Sequence, residues 1–244
     1  MPGPTVRLER LLANRGYCAR SSVKEFLRDH EVMDEKGGRL LKPDVRVSDQ
    51  LRIDGEAIDP AVLVLMMNKP VGLVCSHKET AESVEGGGLV YDLLPERWRR
   101  RDPPIATVGR LDKETSGLLL LTDDGTLLHR LTSPKHHVPR VYRATLDRDL
   151  RGNEGELFAS GKLVLESDDK PLLPAELEVL GPREARLTLH EGRYHQVRRM
   201  FAAAGNHVLT LHRERFGPLE LPADLAERGV RPLTPEELSR LTAK

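Results

Sequence analysis

Cysteine is scarce: the chain has two in 244 residues, Cys18 and Cys75. Two thiols build neither a disulfide framework nor a four-thiolate zinc site. Aromatic residues make up 4%, too few for a recognition sheet that works mainly by stacking bases. The longest apolar run, Ala61 to Met67, falls far short of a membrane span. The start, Met1-Pro2-Gly3-Pro4, lacks the basic-then-apolar order of a signal peptide. Net charge is also missing, because 38 Lys and Arg balance 38 Asp and Glu. A wholly basic coat is therefore excluded. A local footprint for nucleic acid is not, since net charge averages it away. Neither GxGxxG nor GxxxxGK(S/T) occurs, so no phosphate loop is expected. Ser76, Ser116 and Ser133 lie in no GxSxG elbow. The nine histidines form no HExxH pair, which argues against a catalytic metal. The expectation is a soluble, cytoplasmic protein without cofactor, metal or membrane partner.

What is present suits a packed core: 39% hydrophobic and 31% charged residues. Arg7 to Asn14 reads as a short helix with Leu8, Leu11 and Leu12 on one face. Ser22-Val23-Lys24-Glu25 reads as a capping box for a second. Short apolar runs at Glu31–Met33, Arg39–Leu41 and Leu51–Ile53, separated by Gly37-Gly38 and Asp54-Gly55, read as small strands. This first module carries six basic side chains against three acidic ones up to His30. They include Arg7, Arg10, Arg15, Arg20 and Lys24, which suit phosphate contacts or an ordinary solvated helix face.

Asp59-Pro60 reads as a boundary, giving a module over residues 1–58 and a larger domain over 59–244. The larger part opens with a buried strand, Val62–Met67, and Glu85-Gly86-Gly87-Gly88 reads as a flexible break. Further strands are expected at Leu118–Leu121, Val138–Leu146 and His207–Leu211, and helices at Thr126–Leu131, Gln196–Ala204 and after Thr234. Strands and helices mix without regular βαβ alternation, which points to an α+β fold with a largely antiparallel sheet flanked by helices.

Three stretches can carry chemistry. Gly109-Arg110-Leu111-Asp112-Lys113-Glu114-Thr115-Ser116-Gly117 is a polar loop running into a buried strand. Such a loop is where a reactive side chain is often placed. Asp112 there is a nucleophile or general base, or else a turn aspartate bonding its own backbone. In Glu191-Gly192-Arg193-Tyr194-His195-Gln196-Val197-Arg198-Arg199-Met200, Arg198 lies between apolar neighbours. A buried arginine needs an anion, and Asp112 would serve. In Arg140-Val141-Tyr142-Arg143, the tyrosine either stacks on a base beside cations that hold phosphates, or is a core tyrosine with snorkelling arginines.

These same stretches carry a family resemblance. GRLDKETSGLLLLTDDG resembles the catalytic-aspartate motif of the pseudouridine synthases, in the form used by the ribosomal small-subunit synthase A family. MNKPVGLVCS resembles that family's first motif, SPKHHVPRVYRATL its tyrosine motif, and EGRYHQVRRMFAAAGNHV its basic C-terminal motif. RLERLLANRGYCARSSVKEFL resembles an S4 RNA-binding domain. The match runs in the family's order from about residue 6 to residue 217.

The resemblance implies a small N-terminal S4-like α/β module over residues 1–58, then a pseudouridine synthase domain with a mixed, largely antiparallel sheet. It implies that Asp112 is the nucleophile and Arg198 its ion-pair partner. Tyr142 would stack on the uracil and assist proton loss from C5. Arg110 would hold the RNA open, and Lys69 would be structural. RNA contacts would come from Arg7, Arg10, Arg15, Arg20, Lys24, Arg140, Arg193 and Arg199. The implied reaction isomerises a uridine of 16S rRNA, of the pseudouridine-516 type, by base flipping and without a cosubstrate. The protein would act as a monomer on an assembling small subunit. Large-subunit rRNA synthases usually have Asn-Arg where this chain has Tyr194-His195, which distinguishes the 16S reading from a 23S one. A non-catalytic rRNA-binding assembly factor is the alternative of a different class.

Overall fold

The structure is a computed structural model that describes residues 5–243 except 80, 82 and 84–86. The expected glycine break at 85–88 lies in part, and the first four residues lie wholly, outside the described residues. The chain divides into two compact units.

The first unit comprises the chain up to Val64 together with Leu94–Ala106 and Thr122–Gly125. The last two segments are distant in sequence from the 1–58 module. Its elements are β1 (Val6–Arg7), α1 (Leu8–Asn14), α2 (Val23–Asp29), β2 (Val32–Met33), β3 (Arg46–Val47), β4 (Arg52–Ile53), β5 (Glu56–Ala57) and α3 (Glu96–Arg99). β1 pairs with β3, and β2, β4 and β5 form a three-stranded sheet. Leu8, Leu11 and Leu12 of α1 and Val23 and Leu27 of α2 meet Val47 and Leu51 in one buried cluster. The i, i+3, i+4 spacing of those leucines is what places them on one helix face.

Two details differ from expectation. Ser22 makes no capping bond to α2. It closes a 3-10 turn over Arg20–Ser22 and has φ −98°, ψ 2°, whereas a capping hydroxyl needs extended backbone to reach the helix amides. Of Arg39–Leu41, only Arg39 forms an isolated bridge, to Met33. Asp59, at the expected boundary, is held by several hydrogen bonds. Its carboxylate accepts from Trp98 Nε1 at 3.0 Å and from Arg97, its amide donates to the Tyr17 hydroxyl at 2.9 Å, and its carbonyl accepts from Arg15 at 2.7 Å.

The second unit holds the remaining elements: β6 (Val64–Lys69), β7 (Ala106–Thr107), β8 (Thr115–Thr122), α4 (Gly125–Thr132), β9 (Arg140–Leu146), α5 (Glu154–Ala159), β10 (Glu176–Gly181), β11 (Glu184–Leu189), α6 (Gln196–Ala203), β12 (Val208–Phe216), β13 (Leu219–Glu220), β14 (Val230–Pro232) and α7 (Pro235–Thr242). The strands form one sheet in the order β10-β11-β9-β12-β8-β6-β14, with β13 beside β12 and β7 beside β8. Neighbours from β10 to β12 are antiparallel, while β12 and β8 run parallel. The sheet is thus mixed and largely antiparallel, as expected of an α+β protein. β6 and β8 are nearly continuous apolar runs because both their faces are covered. The capping box that Ser22 lacks is found on α7, where Thr234 Oγ1 accepts from the Glu237 amide and Glu237 Oε2 accepts from the Thr234 amide.

One row of this sheet fixes the site. Leu187, Tyr142, Arg213 and Gly117 face each other across β11, β9, β12 and β8, so all four lie on one face. Gly117 has φ +104°, and a Cβ there would lie 2.4 Å from the Arg213 carbonyl oxygen. Only glycine permits that approach.

Candidate active site

A cleft of about 490 Å³ opens over this row, lined among others by Arg110, Asp112, Arg140, Tyr142, His195 and Arg213. Its size is that of a small-molecule or nucleoside site. Five cationic side chains line it against two carboxylates, Asp112 and Glu114, which favours an anionic ligand.

Asp112 stands in the loop before β8, and the rigidity of that loop comes from its carbonyls. Lys69, at the end of β6, is completely buried. Its Nζ donates to the carbonyls of Pro70 at 2.9 Å, Asp112 at 3.1 Å, Lys113 at 3.3 Å and Thr115 at 2.9 Å. Arg198 Nη2 donates to the Glu114 carbonyl at 3.2 Å. Every carbonyl from 112 to 115 therefore accepts from a cationic side chain. Burial pulls the Lys69 ammonium down to about 8, because desolvation penalises its charge.

The Asp112 carboxylate itself accepts no hydrogen bond from the described residues. His195 Nε2 stands 3.5 Å from it, with both side chains about one-third exposed. It is a carboxylate oriented through its backbone and left open toward the cleft, which suits a nucleophile or base awaiting substrate. His195 precedes α6 with a left-handed backbone, φ 47°, and its ring stacks on the exposed Tyr194 at 3.9 Å. Tyr142 is buried and presents its ring in the cleft.

The expected ion pair between Asp112 and Arg198 is not formed. α6 turns Val197, Met200 and Phe201 inward and leaves Arg198 half-exposed, with Nη1 on the Val208 carbonyl at 2.9 Å. Two backbone carbonyls satisfy the guanidinium in place of a carboxylate. Arg198 thus bears on Asp112 through the loop. The buried arginine of the site is Arg213, which the sequence did not single out. Its signal was the two-residue spacing from Leu211, which puts both on the inner face of β12. The charged string His212-Arg213-Glu214-Arg215 masked it.

The other basic candidates divide by environment. Arg7, Arg10, Arg20 and Lys24 are exposed in the first unit, and Arg110 is exposed at the cleft. Arg15 is buried and spent on the Asp59 carbonyl, with Asp49 at 3.8 Å. Arg193 and Arg199 share Asp168 at 2.8 Å each. Arg193 also binds Glu191 at 3.1 Å, and their guanidiniums hold Asp168 below the usual carboxylate range. These two arginines fasten the segment around Asp168 to the start of α6. Arg140 lines the cleft with its guanidinium 5.5 Å from the Phe216 ring centroid, and burial lowers its pKa.

The RNA pseudouridylate synthase family profile matches residues 63–203. The ribosomal small subunit pseudouridine synthase A of Yersinia pestis is 39% identical over 98% of this chain and 99% of its own length. The chain belongs to the pseudouridine synthase family. The small-subunit synthase A of Escherichia coli K12 is 46% identical over 71% of each chain. A solved pseudouridylate synthase structure superposes with a TM-score of 0.67 at 35% identity, covering 97% of this chain and all of the other. The cleft, with its open aspartate and neighbouring tyrosine, lies within the domain of an RNA pseudouridine synthase, an isomerase.

Proposed function

We propose that this pseudouridine synthase converts one uridine of 16S rRNA to pseudouridine, at the position numbered 516, within an assembling small subunit. The observation that carries the mechanism is an Asp112 carboxylate open to a basic cleft that Tyr142 also lines, and clamped through its backbone. The target nucleotide leaves its stack, at a cost of a few kcal/mol. Tyr142 receives the uracil face, and Arg110 at the exposed rim takes the place of the extruded base. Asp112 meets the ribose. Attack at C1′ and removal of the C2′ proton both start from this placement, and either one lets the N1–C1′ bond break. The uracil turns and C5 bonds to C1′ as the Asp112–C1′ bond breaks, or as Asp112 returns the proton to C2′; the C5 proton then leaves with help from Tyr142 and N1 takes up a proton. No atom is gained or lost, so the residues present suffice. Residues 1–58 serve as an S4-type RNA-binding module, with Arg7, Arg10, Arg20 and Lys24 toward phosphates. The names of the small-subunit relatives favour 16S over 23S rRNA.

The test is a pseudouridine map. Wild-type protein is incubated with unmodified 16S and 23S rRNA, alone and with ribosomal proteins, and modified positions are read by carbodiimide stops. One new stop in 16S rRNA is expected, absent with Asp112→Asn. A stop confined to 23S rRNA would move the substrate to the large subunit, and none on any substrate would favour the assembly-factor reading.

A further inference from the structure

The floor of the cleft holds a cation that no carboxylate among the described residues neutralises. Arg213 is 1% exposed. Its Nε donates to the Leu118 carbonyl at 2.7 Å, while its Nη2 is sealed from solvent without a hydrogen-bond partner. Among the described residues no carboxylate lies within 4.0 Å of it. A buried guanidinium with an unmet donor is among the costliest arrangements a fold can carry. The rings of Tyr142 and Phe216, with centroids 6.0 and 5.4 Å from its central carbon, offset part of that cost. The nearby Arg140 adds to it by sharing the Phe216 ring. A buried orphan donor of this kind calls for an acceptor from outside.

We propose that Arg213 binds the target base itself, through a carbonyl oxygen of the extruded uracil. The proposal deepens the pseudouridine synthase reading and rests on it. A guanidinium only donates, so its partner must be an acceptor. A phosphate is charged and hydrated and belongs at the rim, where Arg110 is exposed. A flat base fits a floor that Tyr142 and Arg213 line together. When the N1–C1′ bond breaks, its electron pair stays on the base and spreads over N1 and the two carbonyl oxygens. C1′ is meanwhile taken by Asp112, or the C2′ proton is. The base later returns that pair through C5 to C1′ as the Asp112–C1′ bond breaks, or as Asp112 gives the proton back to C2′, and the C5 proton is lost while N1 gains one. An anionic Asp112 at the sugar and a cationic Arg213 at the base match this separation of charge. The cation binds the departing uracil anion more tightly than the neutral base, so its effect falls on kcat.

The test measures pseudouridine formation on ligated 16S rRNA carrying uridine, 2-thiouridine or 4-thiouridine at the modified position. Wild type, Arg213→Met and Arg213→Lys are compared. Sulfur accepts hydrogen bonds weakly, so one of the two thio substrates should slow the wild type about tenfold, and which one identifies the oxygen. Both variants should lose roughly 10²- to 10³-fold in kcat with a smaller change in KM, and both should treat that thio substrate like uridine. Arg213→Met, which removes a buried unpaired charge, should melt within about 4 °C of wild type or above it. A purely structural arginine would lose melting temperature and rate together. Should Arg213→Met not fold, Arg213→Lys and the wild-type thio rates decide. Equal wild-type rates on all three substrates, or a folded variant with wild-type kcat, would overturn the proposal. No product from wild type on ordinary uridine would instead overturn the functional reading beneath it.

Discussion

The two faces of the central sheet treat the same residue type in opposite ways. On one face, Arg143 and Arg186 stand opposite each other across β9 and β11, and both are paired. Arg143 meets Glu184 at 2.6 Å and Glu214 at 3.7 Å, and Arg186 meets Glu178 at 2.6 Å and Glu214 at 2.8 Å. One residue along β9, on the other face, Tyr142 stands beside an Arg213 that meets no carboxylate among the described residues. The paired face is half-open to water and could leave its cations unpaired at little cost, yet it supplies every counter-charge. The buried face withholds one where the cost is highest. Missing pairing is therefore a property of the site, and charge composition, balanced over the whole chain, carries no trace of it.

The largest effect that would sharpen this contrast is on the open carboxylate. Asp112→Asn should lower turnover by roughly 10³-fold or more with unchanged melting temperature and RNA affinity. Near-wild-type pseudouridine formation by the purified variant would remove Asp112 from the chemistry. Next comes the clamp beneath it. Lys69→Met leaves buried carbonyls unmet and should cost about 3 kcal/mol of stability. A displaced loop should also cost roughly 10²-fold in turnover. The sign of its pH dependence follows from a folded-state pKa of about 8 against 10.5 for a free lysine. Between those values the unfolded chain binds more protons, so wild-type stability relative to Lys69→Met should rise with pH across that window. Chemical denaturation at several pH values measures it, and a flat or falling difference would contradict the burial assigned to Lys69.

Smaller effects belong to the paired face. Glu214→Gln removes a carboxylate shared by two half-exposed arginines and should cost about 0.5–1 kcal/mol, less in high salt, with turnover unchanged. A tenfold loss of turnover would mean that the two faces are coupled. The smallest effect on stability is expected where exposure makes pairing unnecessary. Arg10→Ala with Arg20→Ala should leave melting temperature and kcat alone and reduce the salt slope of RNA binding by about 2.

The leucine spacing of α1, the apolar runs of β6 and β8, the α6 pattern and the helix start at Thr234 were all legible as periodicity and end signals. The hairpin of β10 and β11 was not, because charged side chains alternate with modest apolar ones on an open face. Asp112 and Tyr142 were legible as candidates because a polar loop before a buried strand, and a tyrosine between arginines, are local patterns. The buried arginine was misplaced for the converse reason. Which arginine is buried depends on how α6 and β12 turn against the sheet. Arg198 looked enclosed among apolar neighbours, while Arg213 looked solvated in a run of charges. Lys69 shows the same limit, since four carbonyls that converge on one ammonium leave no mark in their own residue types.

Gly117 gives the site its ruler. Because no side chain separates β8 from the Arg213 backbone, the spacing between the strand that follows the aspartate loop and the backbone that carries the buried cation is set by two main chains in contact. Any residue with a Cβ there would act as a wedge, and a misplacement near 1 Å at a reacting centre can cost about 10²-fold in rate. An engineer seeking to retarget this enzyme can therefore redraw the rim of the cleft, but should treat that strand contact as the origin from which every other position is measured.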